Sequence, residues 1–224
     1  AILLNDNTII DQGEPQKVIN HYTKIMTLET LSTIVDNDNN EGLVNIDQNN
    51  TFFSSSPSDL FMNKRSYNRD EYRWGDRRVK IVDYLLVADD KEDPIIIKTN
   101  ANIELYVKYH ILEPVDSLIC GIILKTLDGV VLFTFNTRMF NLIIPRKKSG
   151  DILIVKYQFL APLNRGKYSI SVGCSENVYD FEKDAIAVDR RNDAIIIEIV
   201  SDILNEGILN PNISFEILTG ESDE

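Results

Sequence analysis

The sequence is poor in the residues that build disulfide scaffolds, metal centres and membrane spans. Its 224 residues include two cysteines, two histidines and one tryptophan. No apolar run approaches the roughly 20 residues that cross a bilayer. The first residues, Ala1–Thr8, lack the basic flank and the cleavage site of a signal peptide, so we expect none. Because 43% of the residues are hydrophobic, a packed globular chain is the expectation that remains.

The two cysteines, Cys120 and Cys174, are better explained as reduced, packed thiols than as a bridge. Their 54-residue separation invites comparison with an immunoglobulin domain. However, the single tryptophan, Trp74, precedes both cysteines, whereas the core tryptophan of an immunoglobulin domain follows the first. Two cysteines are also too few for a disulfide framework. We therefore predict free thiols that pack as small hydrophobic residues.

The motifs of the common catalytic and cofactor sites are incomplete in this sequence. Gly173–Glu176 lacks the second glycine of a nucleophile elbow, and Gly166–Tyr168 lacks the Ser or Thr that completes a phosphate loop. His21 and His110 have no ligand-like spacing to another histidine or cysteine. The stretch 36–48 fails as a calcium loop in both registers tested. The sequence therefore predicts no enzyme, no cofactor and no metal site.

The net charge of −12 argues against nucleic-acid binding, but the charges are unevenly distributed. Asn192–Glu224 contains eight acidic residues and no basic ones. Two earlier segments are locally basic: Phe61–Lys80 has seven basic and three acidic residues, and Arg138–Lys167 has seven basic and one acidic. Such segments form either ordinary solvated faces or the contact with an anionic ligand.

Composition divides the chain into three regions, residues 1–35, 36–71 and 72–224. In the first, apolar Ile2–Leu4 leads into an Asn-Asp-Asn turn and a second apolar run, which is typical of a β-hairpin. After Pro15, apolar residues at three- to four-residue spacing predict an amphipathic helix. Its apolar face would contain Val18, Ile19, Tyr22, Ile25 and Met26. The second region is rich in Asn, Asp and Ser and is predicted to be a linker.

The third region consists of short apolar segments separated by turn signals. Alternation is plainest over Ile103–Ile111, where apolar and polar residues follow each other with period two. Asp128-Gly129 predicts a tight turn between two strands. Because no helical periodicity occurs between these segments, they predict an all-β fold. The expected architecture is an antiparallel β-sandwich of immunoglobulin-like or jelly-roll-like type. The predicted strands are 79–87, 103–111, 118–124, 130–135, 152–160, 167–173, 185–188 and 194–200.

Residues 2–22 resemble the end of the nucleotide-binding domain of an ABC transporter. There a final strand pair leads into Gly-x-Pro-x-x-Val-Ile and a helix, and Gly13–Ile19 matches that motif. The Walker and signature motifs would lie upstream and are absent from this sequence. The resemblance therefore implies that this fragment does not hydrolyse ATP, although the full-length parent would.

The following region resembles the C-terminal carbohydrate-binding domain of Wzt, the ATPase subunit of ABC exporters of O-antigen polysaccharide. Tyr72–Ile81 is similar to the Arg-x-Gly-x-Gly-x-Ala-x-Ile opening of that family, with Arg77 at the second glycine and Val79 at the alanine. The further matches, in chain order, are Cys120–Leu124, Asp128-Gly129, Phe135–Thr137, Gly166–Gly173 and Tyr179-Asp180.

This second resemblance implies a non-catalytic β-sandwich that binds the non-reducing terminus of finished O-antigen polysaccharide and couples that recognition to export. It also implies a homodimer, with the segment Ile213–Leu218 as a strand that could be exchanged between subunits. The parent would contact the membrane subunit of the exporter through its ATPase domain, on the cytoplasmic face of the inner membrane. Two alternatives remain open: a structural or dimerisation sandwich with protein partners only, and an accessory domain of a glycosidase or acyltransferase.

Sugar recognition requires aromatic faces for stacking and planar polar groups for hydroxyls, and acidic sugars require Arg or Lys. If the apolar positions of each strand face the core, the alternate positions face outward and supply such groups. We expect Arg138, Lys108 and Asn136 to contact the glycan and Tyr106 to stack on it. A solvated face without ligand is the alternative at each position, and for Trp74 the alternative is a plug over the end of the sandwich. The predicted carbohydrate-binding residues are Tyr106, Lys108, His110, Asn136, Arg138, Ser169, Ser171 and Trp74.

Overall fold

A computed structural model of the chain describes residues 1–5, 8–15, 18–19, 21–22, 25, 42–43, 56–176, 186–203, 205–211 and 213. Strands dominate these residues, and two short 3-10 helices cover Phe61–Asn63 and Thr137–Phe140. The strands in chain order are β1 (Ile2–Asn5), β2 (Thr8–Gln12), β3 (Gly42–Leu43), β4 (Tyr72–Trp74), β5 (Val79–Ala88), β6 (Lys91–Glu92), β7 (Ile96–Lys98), β8 (Ala101–Ile111), β9 (Leu118–Thr126), β10 (Val131–Asn136), β11 (Leu142–Ile143), β12 (Ile152–Ala161), β13 (Gly166–Glu176) and β14 (Ile186–Val200).

Two sheets form a β-sandwich, as the alternating sequence pattern predicts. The larger sheet has the order β10-β9-β13-β14-β4, and β7 also pairs with β14. The smaller sheet has the order β12-β8-β5-β6. All pairings in the two sheets are antiparallel except that of β7 with β14. The expected turn at Asp128-Gly129 joins β9 to β10, with Gly129 at a φ of 94°.

The core lies between the inner faces of the two sheets. In β8, Ile103, Leu105 and Val107 are fully buried, and Ile170 and Val172 of β13 belong to the same apolar cluster. Alternate residues of these strands therefore point inward, and the residues between them point to the outer faces. This alternation decides which side chains can meet a ligand on the outside of the sandwich.

The two strands predicted at 185–188 and 194–200 are one strand, β14, which is 15 residues long. The prediction of a break was wrong because the run Asp189–Asp193 is polar, and polar runs usually mark loops. Here the run stays in the strand: Asp189 and Arg191 are buried, and the pairing with β13 shifts register beside Asp193, which has a φ of 57°. Buried ion pairs replace the apolar contacts that a strand normally shows.

The end of the predicted linker, residues 56–71, packs against the sandwich. Phe61 is fully buried, with its ring centroid 4.7 Å from that of Tyr84. The guanidinium carbon of Arg191 lies 3.4 Å from the Phe61 ring centroid. Arg191 also donates to Glu71 and Asp59, at 2.9 Å and 2.8 Å. A cation and an aromatic ring thus anchor this segment to β14.

The N-terminal residues show the hairpin and part of the helix that the sequence predicts. Strands β1 and β2 pair antiparallel, and the described residues between 15 and 25 are helical. The Val18 amide donates to the Glu14 carbonyl at 3.1 Å, and Val18 is buried, whereas Ile19 and Tyr22 are exposed. Met26 lies outside the described residues.

The predicted strand at Ile213–Leu218 lies outside the described residues apart from Ile213, which is not in a strand. Upstream of it, Leu209 forms an isolated bridge with Leu163, which lies between β12 and β13. The division of the chain at residues 35 and 71 remains a prediction.

The two cysteines are buried free thiols, as predicted. They occupy directly opposed positions, Cys120 on β9 and Cys174 on β13, and both point into the core. Burial raises the pKa of the Cys120 thiol to about 12 and that of Cys174 well above its usual value. Both therefore serve as core residues in their protonated form.

Candidate functional site

The predicted site residues lie on the outer faces of two different sheets. Tyr106, Lys108 and His110 belong to β8 of the smaller sheet. The other five lie on the larger sheet or next to its edge, namely Trp74, Asn136, Arg138, Ser169 and Ser171. Strand β8 is flanked by β12 and β5, so it is no neighbour of β10 or β13. The expectation that Lys108 and Tyr106 meet the same ligand as Asn136 and Arg138 is therefore wrong, because the two outer faces point away from each other.

On the smaller sheet, the predicted residues are engaged in contacts within the chain. The Tyr106 hydroxyl donates to Glu104 at 2.8 Å, and the Lys156 ammonium lies 5.4 Å from the Tyr106 ring centroid. Lys108 is buried and donates from Nζ to the carbonyl of Ser56 at 2.6 Å. The Lys108 side chain points outward, as predicted, but the segment that contains Ser56 covers it. This burial lowers the pKa of its ammonium group. His110 is half-buried.

The two serines on the larger sheet hold the irregular part of β14. Ser169 Oγ donates to Asp193 Oδ1 at 2.7 Å, and the Asp193 amide donates to Ser171 Oγ at 2.8 Å. Lys125 Nζ lies 2.8 Å from the same carboxylate. Ser169 and Ser171 are both buried, so they fix the register shift of β14 in place.

Asn136 and Arg138 lie where β10 ends and a 3-10 helix begins. Asn136 Oδ1 accepts a hydrogen bond from the Met139 amide at 3.0 Å and so caps that helix. Arg138 is exposed in the first turn. The helix ends at Asn141, which has a φ of 53°, in the left-handed region that asparagine tolerates.

The strand registers align five residues across the outer face of the larger sheet. Asn136 of β10 is opposite Gly121 of β9, and Gly121 is opposite Gly173 of β13. Gly173 is opposite Arg190 of β14, and Arg190 is opposite Trp74 of β4. Directly opposed residues of antiparallel strands point to the same face. We call these five residues, Trp74, Arg190, Gly173, Gly121 and Asn136, the cross-sheet row.

The cross-sheet row faces outward, because the neighbours of Gly173 in β13, Val172 and Cys174, are core residues. Two glycines form its middle, and the Arg190 side chain covers one of them, Gly173, which is buried. A Cβ on Gly173 would lie 2.5 Å from Arg190 Cδ, and a Cβ on Gly121 would lie 2.9 Å from Asn136 Cβ. Real Cβ atoms do not approach this closely, so a side chain at position 173 would displace Arg190, and one at position 121 would push β10 away from β9. Between Trp74 and Asn136 the row therefore has no side chain of its own at the two glycines, and the Arg190 side chain lies over Gly173.

Arg190 differs from the other arginines packed into the sandwich. Its Nη2 donates to Ser175 Oγ at 2.7 Å, and its Nε is buried without a hydrogen-bond partner. No carboxylate among the described residues lies within 4.0 Å of it. Burial lowers the pKa of this guanidinium, as expected where no carboxylate compensates. Sequence reasoning missed Arg190 because it falls in the polar run that was interpreted as a break between strands.

The described residues contain no helix long and apolar enough to cross a membrane. They also contain no group of three or more His, Cys, Asp or Glu side chains arranged to hold a metal ion. Among the described residues, the outer face of the larger sheet presents hydrogen-bonding groups and a guanidinium beside the indole of Trp74.

Comparison with known proteins agrees with this architecture. The chain is similar to a crystal structure of the C-terminal domain of Wzt, with 27% identity, a TM-score of 0.68 and coverage of 73% of this chain and 98% of that one. It is more distantly similar to a Niemann-Pick type C2 protein from the Japanese carpenter ant, with 14% identity, a TM-score of 0.40 and coverage of 58% and 98%. No curated protein sequence matches the chain.

The fold is that of a two-sheet β-sandwich. The family model of the Wzt C-terminal domain matches residues 70–211. The chain therefore belongs to the Wzt C-terminal domain family, a family of non-catalytic carbohydrate-binding domains. The resemblance to the Wzt C-terminal domain that the sequence indicated is thereby confirmed.

Proposed function

We propose that the cross-sheet row binds the non-reducing terminus of O-antigen polysaccharide. The observation that carries this proposal is the row itself: glycines at its centre, an indole at one end, and an arginine and an asparagine along it. A sugar chain lying across a sheet needs an aromatic face for its C–H groups and planar donors for its hydroxyls. Trp74, Arg190 and Asn136 offer these groups in one line.

The wider role follows from family membership. A domain that recognises the finished polysaccharide would couple that recognition to export by an ABC transporter whose ATPase domain precedes it in the parent chain. We propose that the parent works as a homodimer at the cytoplasmic face of the inner membrane and contacts the membrane subunit of the exporter through that ATPase domain.

Calorimetric titration with purified O-antigen polysaccharide tests the function and the choice of face together. The two matched variants are Trp74→Ala on the larger sheet and Tyr106→Ala on the smaller one. We expect Trp74→Ala to weaken binding about tenfold, since an aromatic contact contributes on the order of 1 kcal/mol beyond its buried area. Tyr106→Ala should bind as the wild type does.

The opposite result would move the site to the outer face of the smaller sheet, where Tyr106 was first predicted to stack. Removal of the terminal group of the glycan should abolish binding if the domain recognises the end of the chain. A panel of O-antigen polysaccharides that gives no heat with the wild type would contradict the function itself.

A protein-contact role is the second candidate, favoured by exposed apolar side chains at the β10 edge. Val131, Phe135, Met139 and Phe140 are each more than two-fifths exposed. Strand β10 pairs only with β9 among the described strands, so its outer edge is open to another chain. Sedimentation of the wild type and of Phe140→Ser would test this role, which predicts a dimer that the variant dissociates.

A further inference from the structure

We propose that Arg190 receives an anionic group of the ligand, a phosphate or a carboxylate on the bound end of the glycan. This inference rests on the proposed function, because it assigns a chemical class to the ligand of the same row. It adds a residue that the sequence pattern did not suggest.

The contrast with the adjacent arginine carries the argument. Arg191 points inward from β14, and Glu71 and Asp59 neutralise it, at 2.9 Å and 2.8 Å. Arg73, from the neighbouring strand β4, likewise has Asp189 at 2.7 Å. Buried charges in proteins are normally paired in this way, since an unpaired one is costly. Arg190 points to the outer face. Among the described residues, the acceptor of its hydrogen bond is the Ser175 hydroxyl.

The surroundings of Arg190 fix its guanidinium in one position. The side chain lies directly over Gly173, where a Cβ would be 2.5 Å from its Cδ and 2.9 Å from its Nη1. Ser175 holds Nη2 from one side, and Trp74 is directly opposite on β4. A guanidinium has five N–H donors, of which the Ser175 contact uses one. Nε is buried, so the donors left on Nη1 and Nη2 are the ones that suit an anion with two or more oxygens, because such groups accept paired hydrogen bonds from arginine.

A neutral sugar would not need this arrangement. A hydroxyl gains little from a full positive charge, whereas an anion supplies the countercharge that the described residues do not give Arg190. We therefore expect a charged ligand to bind better than its neutral counterpart, and more weakly as salt is added.

Two-dimensional 1H–15N NMR titration of the whole chain tests this directly. The probes are inorganic phosphate, glucuronate and glucose, and the reporters are the Gly173 and Gly121 amides and the Arg190 Nε–H group. We expect phosphate or glucuronate to shift these signals saturably, with glucose weaker by about tenfold or more. The stronger of the two anions identifies the source of the negative charge. No saturable shift with either anion would overturn the proposal.

Arg190→Gln should weaken the binding of the anion about ten- to a hundredfold. The matched control is Arg165→Gln, an exposed arginine at the other end of β13. If Arg190→Gln does not fold, Gly173→Ala serves instead, because its methyl group displaces the Arg190 side chain and keeps the charge. Unchanged anion affinity in the folded variant would overturn the proposal.

The polysaccharide titration distinguishes failure of this inference from failure of the proposed glycan binding. Equal affinity of wild type and Arg190→Gln for the polysaccharide would reject the anionic contact and leave glycan binding standing. Absence of polysaccharide binding by the wild type would reject glycan binding. If phosphate still shifted the NMR signals saturably, Arg190 would belong to an anion site that does not bind glycan.

Discussion

At the scale of single residues, the inward-facing arginine of β14 is the main polar anchor of the fold. Arg191 is almost completely buried and contacts Glu71, Asp59, the Ile81 carbonyl and the Phe61 ring. Arg191→Met should lower the free energy of unfolding by about 3–5 kcal/mol, since it leaves the buried Glu71 carboxylate without its cation. Urea denaturation measures this change.

The control for that substitution is an exposed ion pair. Arg146 lies 3.1 Å from Asp116, with both side chains more than two-thirds exposed. Surface pairs contribute about 0–1 kcal/mol, so Arg146→Met should be nearly neutral. Equal effects of the two substitutions would contradict the role assigned to Arg191.

The buried thiols give a second prediction at this scale. Only the thiolate reacts with disulfide reagents, and burial holds the pKa of Cys120 at about 12. We expect neither Cys120 nor Cys174 to react with Ellman's reagent at pH 8 in the folded protein, and both to react in urea. Ser58→Cys, at an exposed position, should react at once and serves as the positive control. Stoichiometric labelling of the native wild type would refute the packing described here.

The sequence analysis selected some residues of the cross-sheet row and not others, for a physical reason. Trp74 and Asn136 stand out because an isolated tryptophan and a polar residue after an alternating strand are visible without coordinates. Lys108 was assigned correctly to an outward position, yet its burial depends on a segment more than 50 residues away, which no local pattern reports. Arg190 was missed because it lies in the polar run Asp189–Asp193, and a polar run inside a strand has the same sequence pattern as a loop.

At the scale of elements, the approach of β10 to β9 depends on a glycine. A Cβ on Gly121 would lie 2.8 Å from the Phe135 carbonyl oxygen and 2.9 Å from Asn136 Cβ. Gly121→Ala should therefore push β10 outward and lower stability by about 1–3 kcal/mol, the usual effect of overpacking. Thermal unfolding measures this, with faster amide exchange in β10 as the local sign.

Gly207→Ala is the matched control for this substitution. The atom nearest to a Cβ at Gly207 is 3.6 Å away, which is ordinary contact, so its melting temperature should stay close to that of the wild type. If both alanine variants melted alike, close approach at Gly121 would not be the cause.

At the scale of the whole molecule, periodicity predicted the sandwich but not its strand order. Alternation assigns each side chain to a face, because successive residues of a strand point to opposite sides. It does not say which strands are neighbours, since pairing depends on long connections and on contacts between distant residues. For this reason the eight predicted site residues divide between two outer faces once the registers are known.

The buried core makes the whole fold sensitive to alkali. Burial raises the pKa of Cys120 to about 12 and raises those of Cys174, Tyr109 and Tyr157 well above their usual values. In the unfolded chain these groups ionise near pH 8.5 for thiols and near pH 10 for phenols. Above those values the unfolded state binds fewer protons than the folded state, so stability falls as pH rises.

Stability should therefore be unaffected by these groups below about pH 8 and should then decline by up to about 1.4 kcal/mol per pH unit for each ionising group. Urea denaturation at successive pH values from neutral to alkaline measures the decline. The double substitution Cys120→Ala and Cys174→Ala should remove the early part of it, between the usual thiol and phenol pKa values, because the thiols alone titrate there. A wild type whose stability stayed level through this interval would show that the thiols are reached by solvent in the folded protein.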